Sequence, residues 1–99
     1  MKVYWSSVEY EYLYDDKKMK GGFVYAFVKS KDAISAYEQM KKEFAKEDLN
    51  PISWEFVSPY DINTEWDSEE EKLHYKKLYE LAKKSNKCIF DTFYAYANK

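Results

Sequence analysis

The chain contains no arginine: its sixteen basic residues are all lysine, against eighteen acidic ones, for a formal net charge of -2. Arginine supplies the planar fork that grips phosphate and guanine at two points and stacks on bases, so its absence argues against specific nucleic-acid recognition. Cysteine occurs once, at Cys88, which rules out an internal disulfide and makes a reducing, cytoplasmic setting the expectation. No apolar run approaches the roughly 18 residues of a membrane-spanning helix, and no charged-then-apolar leader opens the sequence. Neither a membrane nor a secretory route is therefore expected. Two glycines and two prolines leave little room for linkers or low-complexity tracts, so the 99 residues read as a single domain.

What the chain has in abundance is aromatic surface: eleven Tyr, six Phe and three Trp, or 20% of all residues. Such rings thicken a small core or line a binding face. Their spacing, with that of the other apolar residues, outlines the elements. In "KVYWSSVEYEYLY" two alternating runs, Val3-Trp5 and Val8-Tyr10-Tyr12-Tyr14, change parity at Ser6-Ser7, and a bulge there would put both on one face. The loop "DDKKMKGG" follows, with Gly21-Gly22 as its turn, and then "FVYAFV", apolar on both faces and hence a central strand.

Ser30 is placed to cap a helix whose apolar stripe is Ala33, Ala36, Tyr37, Met40 and Phe44, stopped by Asn50-Pro51. "ISWEFVS" alternates with Ile52, Trp54 and Phe56 inward, and Tyr60 to Trp66 alternates again, as a short strand or an ordered loop. Ser68 and Glu71 form a capping box for a second helix, with Tyr75, Leu78, Tyr79, Leu81 and Ala82 on its buried side and Asn86 as its left-handed stop. "CIFDTFYAYA" closes the chain as a strand apolar on both faces.

The order predicts an α+β fold, a ferredoxin-like two-layer sandwich with two helices on one face of a mainly antiparallel sheet of four or five strands and an extra N-terminal strand. Two helices on one face cannot cover strands that are apolar on both. A second covering follows, which makes a homodimer the expectation.

The segment "YDINTEWDSEEE" carries six acidic side chains. Asp61, Asn63, Glu65, Asp67 and Glu69 fall on alternate places as in an EF-hand loop, but Trp66 stands where the turn needs glycine and Lys72 where a carboxylate must close the site, so no metal is assigned. Glu69, Glu70 and Glu71 also suit the positive end of a helix dipole. His74 and Cys88 do not make a nucleophile and base, because the short connection after the second helix sets Cys88 about 15 Å from His74. One Cys and one His cannot fill a zinc site. Glu9, Glu11, Glu55 and Asp91 are the carboxylates that a sheet face would present, with Asp91, between Phe90 and Phe93, the most suited to a shifted pKa.

"KGGFVYAFVKSKDAISAYEQM", residues 20 to 40, resembles the strand-to-helix passage of the RNA-recognition motif. The places where that family stacks bases on aromatics hold Gly22 and Val24 here, while Phe23, Tyr25 and Phe27 fall on the other side. The resemblance implies shared strand-helix packing without RNA binding.

The function these features predict is a small non-enzymatic protein-binding module, of inhibitor, immunity or regulatory type, that meets a basic protein partner through the acidic patch Asp61, Glu65, Asp67, Glu69 and Glu70. No cofactor is expected. Two alternatives stand beside it: a binder of a small apolar or aromatic ligand lined by Trp5, Tyr25, Trp54, Tyr94 and Tyr96, and an enzyme using sheet-borne carboxylates.

Overall fold

A computed structural model describes residues 1–12 and 19–97, with the backbone alone described at 19–20 and 94–97. Tyr14 and the first four residues of the expected "DDKKMKGG" loop lie outside the described residues. The molecule is α+β, and its helices and antiparallel sheet have the sizes of a ferredoxin-like sandwich. In chain order the elements are β1 (Lys2–Tyr12), β2 (Met19–Ser30), α1 (Ala33–Lys46), β3 (Leu49–Trp54), β4 (Ser58–Pro59), α2 (Glu69–Lys84), β5 (Ile89–Phe90) and β6 (Tyr94–Ala97).

The sheet runs β3-β1-β2-β5, with β4 beside β1 and β6 beside β2, every pairing antiparallel. β3 and β4 lie in tandem along one edge of β1, and β6 and β5 along the far edge of β2. The N-terminal strand is thus not an addition at the margin but one of the two central strands. It takes the place that a strand at 60–66 would have filled, and that segment is loop.

β1 pairs with β2 without interruption from Lys2 to Glu11, so the bulge expected at Ser6-Ser7 does not form. Without it, strand alternation sends the two apolar runs to opposite faces. Val8 and Tyr10 join Tyr4, Val24, Ala26 and Val28 against Ala36, Met40 and Phe44 of α1. Val3 and Trp5 join Tyr25 and Phe27 against Leu78 and Ala82 of α2. The two helices therefore lie on opposite faces of the sheet, which corrects the expectation that both share one. The second apolar face of β2 is covered by the chain's own α2. No partner copy is required to shelter it.

Local chemistry accounts for the element ends. Asp32, not Ser30, caps α1 by accepting from the Ser35 amide at 2.7 Å. The helix ends before Asn50-Pro51, turning through Asp48 at φ 59, and both residues enter the edge strand β3, where a missing N–H is tolerated. The register moves from Glu9 opposite Ser53 to Tyr10 opposite Pro51, so Ile52 is the extra residue of a bulge and is exposed rather than inward. Leu81 is likewise exposed. The last strand is split by Asp91 to Phe93 into β5 and β6. Among the described residues, no helix is long and apolar enough to cross a membrane.

Candidate functional site

The acidic segment is an ordered loop fixed at both ends and in the middle. At its start, the buried Tyr60 donates its amide to the Val3 carbonyl at 2.8 Å. Asp61 then closes a tight turn, its carboxylate accepting from the Asn63 amide at 2.8 Å and its carbonyl from the Thr64 hydroxyl at 2.6 Å. In the middle, Trp66 lies flat on Tyr75 of α2, ring centres 4.1 Å apart and planes 15° from parallel, while its indole N–H donates to the Tyr60 hydroxyl at 3.2 Å. At the end, Ser68 caps α2 by accepting from the Glu71 amide at 3.1 Å, as the capping-box spacing predicts.

Asp61, Glu65, Asp67, Glu69 and Glu70 are all exposed on this frame. Among the described residues, none of the five is in an ion pair. Residues 63 to 69 and Lys72 line an open groove of about 360 Å³. The arrangement is an ordered, mainly negative surface, with Trp66 and Lys72 among the groups that line the groove. Among the described residues, no three His, Cys, Asp or Glu side chains gather as metal ligands.

No family model, curated protein or solved structure matches the chain, so its chemistry is read from its own geometry.

Of the residues expected to line a ligand pocket, Trp5 and Tyr25 come together and Trp54 lies apart from them. Trp5 and Tyr25 stack on each other under α2, with ring centres 5.3 Å apart. Trp54 is on the other face, packed edge-on against Tyr37 and Phe44 of α1. Tyr94 and Tyr96 belong to β6 opposite Phe23 and Gly21 in register, and their side chains lie outside the described part.

Cys88 is buried in the cluster on the α1 face, and that burial pushes its thiol up to about 12. It is a core residue, separated by the sheet from His74. The histidine has a different partner: its Nε2 meets the Asp91 carboxylate at 2.7 Å, and the same Oδ1 accepts from the Thr92 amide at 2.7 Å. The Asp91 side chain is 3% exposed and that of His74 48%. Sequence reading singled out both residues but not their pairing. The missing step is geometric: a strand returning along α2 gains about 3.3 Å per residue, so the three residues from Cys88 to Asp91 cover most of the distance back to His74.

Proposed function

We propose that the protein is a non-enzymatic binding module, of inhibitor, immunity or regulatory type, whose contact surface is the acidic loop ending in the first turn of α2. One observation supports this reading above others: five carboxylates without ion-pair partners among the described residues are carried by a loop held by Trp66, Tyr60 and Ser68. Unpaired like charges at close quarters repel one another, and a basic partner relieves that repulsion while its field speeds encounter. A loop already fixed also loses little conformational freedom on binding.

The partner class is a protein with a lysine- or arginine-rich face, and a cytoplasmic setting agrees with the single unbridged cysteine. The expected homodimer rested on sheet that two helices on one face would leave bare. With α2 on the second face that reason falls away, and the proposal needs no second copy.

The test is charge reversal of Asp61, Glu65 and Asp67 to Lys in a tagged chain, beside a control reversal of Glu38 and Glu47 on and after α1. Capture of a basic protein should be lost by the first variant and kept by the second, with circular dichroism unchanged in both. Equal capture by the two variants rejects the reading.

A further inference from the structure

Beyond the loop, a second acidic feature is built from three separate elements. The Glu55 amide donates to the Ser7 carbonyl at 3.0 Å, Ser7 pairs with Tyr25, and the Asp91 amide donates to the Tyr25 carbonyl at 2.9 Å. Glu55, Ser7, Tyr25 and Asp91 thus form one row across the sheet on the α2 face. The row above it, Trp5, Phe27 and Ile89, is covered by α2. α2 begins at the level of Tyr25, against which Tyr75 packs edge-on at 5.6 Å, and from its first turns come Glu71 and His74.

Three carboxylates, Glu55, Glu71 and Asp91, act together on the Tyr25 hydroxyl, which burial first and then these charges push above its ordinary range. Two are exposed. The third is not, and it is incompletely satisfied: Asp91 Oδ1 has His74 and Thr92, while Oδ2 is buried without a hydrogen-bond partner. A buried carboxylate oxygen left empty is costly, and a carboxylate offers two oxygens side by side to a fork of two N–H donors. The half-exposed His74 ring meets the same carboxylate through its other oxygen, Oδ1. Trp5, Tyr25, Tyr75 and Trp66 form a closed cluster of rings beside the carboxylates, with Trp5 stacked on Tyr25 at 5.3 Å, Trp66 stacked on Tyr75 at 4.1 Å and Trp5 edge-on to Trp66 at 6.1 Å. Negative charge beside aromatic faces is the pairing that takes up a cation.

We propose that this corner is a socket for one lysine or arginine side chain of the protein partner, with Glu55 and Glu71 at its mouth, Asp91 at its base and His74 as a ring that swings aside to free the Asp91 carboxylate. This assignment rests on the reading of the protein as a binder of basic proteins and supplies the residue that the partner must present. It also makes His74 a competitor of the incoming cation.

The probe is Nα-acetyl-arginine amide, with the lysine analogue alongside and Nα-acetyl-glutamine amide as the uncharged control, titrated into the full chain and followed by amide NMR shifts and tryptophan fluorescence. Saturable shifts at Tyr25, His74 and Asp91 are expected with the two cationic probes only. The exposed pair Glu55→Gln and Glu71→Gln should weaken binding about fivefold, Asp91→Asn should weaken it further, and His74→Ala should tighten it. Shifts confined to residues 61–70, equal shifts with the glutamine probe, or affinity unmoved in the Glu55→Gln, Glu71→Gln variant overturn the socket. Because the titration needs no protein partner, it separates this idea from the capture experiment. A socket that titrates as expected while charge reversal of the loop leaves capture intact would sink the loop reading alone.

Discussion

Trp66 and Tyr75 lie face to face at 4.1 Å, one from the acidic loop and one from α2. Trp66 packs on the cluster under α2 through this stack, its bond to Tyr60 and an edge-on contact with Trp5, so it holds the loop that carries the carboxylates. Replacing Trp66 by Ala removes a large half-buried ring and its bond to Tyr60, and should cost about 2 kcal/mol, less than for a fully buried tryptophan. Trp66→Phe keeps a ring on Tyr75 and loses only the Tyr60 bond, for a cost of about 1 kcal/mol. Urea denaturation measures both. Hydrogen exchange at the Asn63 and Thr64 amides should accelerate in the alanine variant while the body of α2 stays protected.

Gly21 illustrates a different constraint. The expected turn at Gly21-Gly22 is instead a stretch of β2 paired with Tyr10 and Glu11 of β1. A Cβ at position 21 would strike the Tyr10 carbonyl, which is backbone and cannot move aside. Gly21→Ala should therefore destabilise the protein by about 1–3 kcal/mol, the usual range for forced overpacking. Thermal melting of the variant gives the comparison, and a midpoint equal to the parent's would show that β1 and β2 can separate there without cost.

Much of the fold was legible because hydrophobic spacing carries it. Ala36, Met40 and Phe44 on α1, the Ser68 cap of α2, and the two-faced apolar pattern of β2 all follow directly from periodicity. Element order alone puts both helices on one side of the sheet, and the parity change at Ser6 that points to two covered faces reads as a bulge instead. A polar residue at an inward position reads as a break in the pattern, whereas Ser6 is fully buried with its hydroxyl donating to the Phe56 carbonyl. Once that bond satisfies the hydroxyl, no bulge is needed and the parity change between Val3-Trp5 and Val8-Tyr10 simply marks two faces. The acidic loop was legible as charge and as a helix cap. Its rigidity was not, because the bond between Trp66 and Tyr60 and the stack on Tyr75 depend on the loop folding back over α2. His74 and Asp91 were each visible but could not be paired without knowing where the final strand breaks.

Coverage of both faces has consequences for assembly. Ala26 and Phe27 are adjacent, fully buried, and pack against different helices. Light scattering coupled to gel filtration should return the mass of one chain, because neither face of β2 needs a second copy. Met40→Ala on the α1 face and Phe27→Ala on the α2 face should each lower stability by about 3–4 kcal/mol. If α2 instead detached readily from the sheet, Phe27→Ala would be nearly neutral and the parent would bind a hydrophobic dye.

Alkaline pH should weaken the fold, and Cys88 gives the reason and the sign. Burial pushes its thiol up to about 12 in the folded protein, whereas an unfolded cysteine ionises near 8.5. Below roughly pH 8 both states are protonated and the full stability is present. Above that, the unfolded chain sheds a proton that the folded chain retains, so stability falls as pH rises and continues to fall toward pH 12. Between about pH 8 and pH 10 the loss from this one group should be about 2 kcal/mol. Burial also raises Tyr25 and Tyr60, which add a loss of the same sign at still higher pH. Cys88→Ala is destabilised at neutral pH by the lost sulfur, but its stability should decline less than the parent's over this interval. Urea midpoints at the two pH values test this, and parallel declines in both proteins would mean that Cys88 ionises as freely in the folded chain as in the unfolded one. The same protonated, buried thiol should resist iodoacetamide at pH 8 until the chain is unfolded.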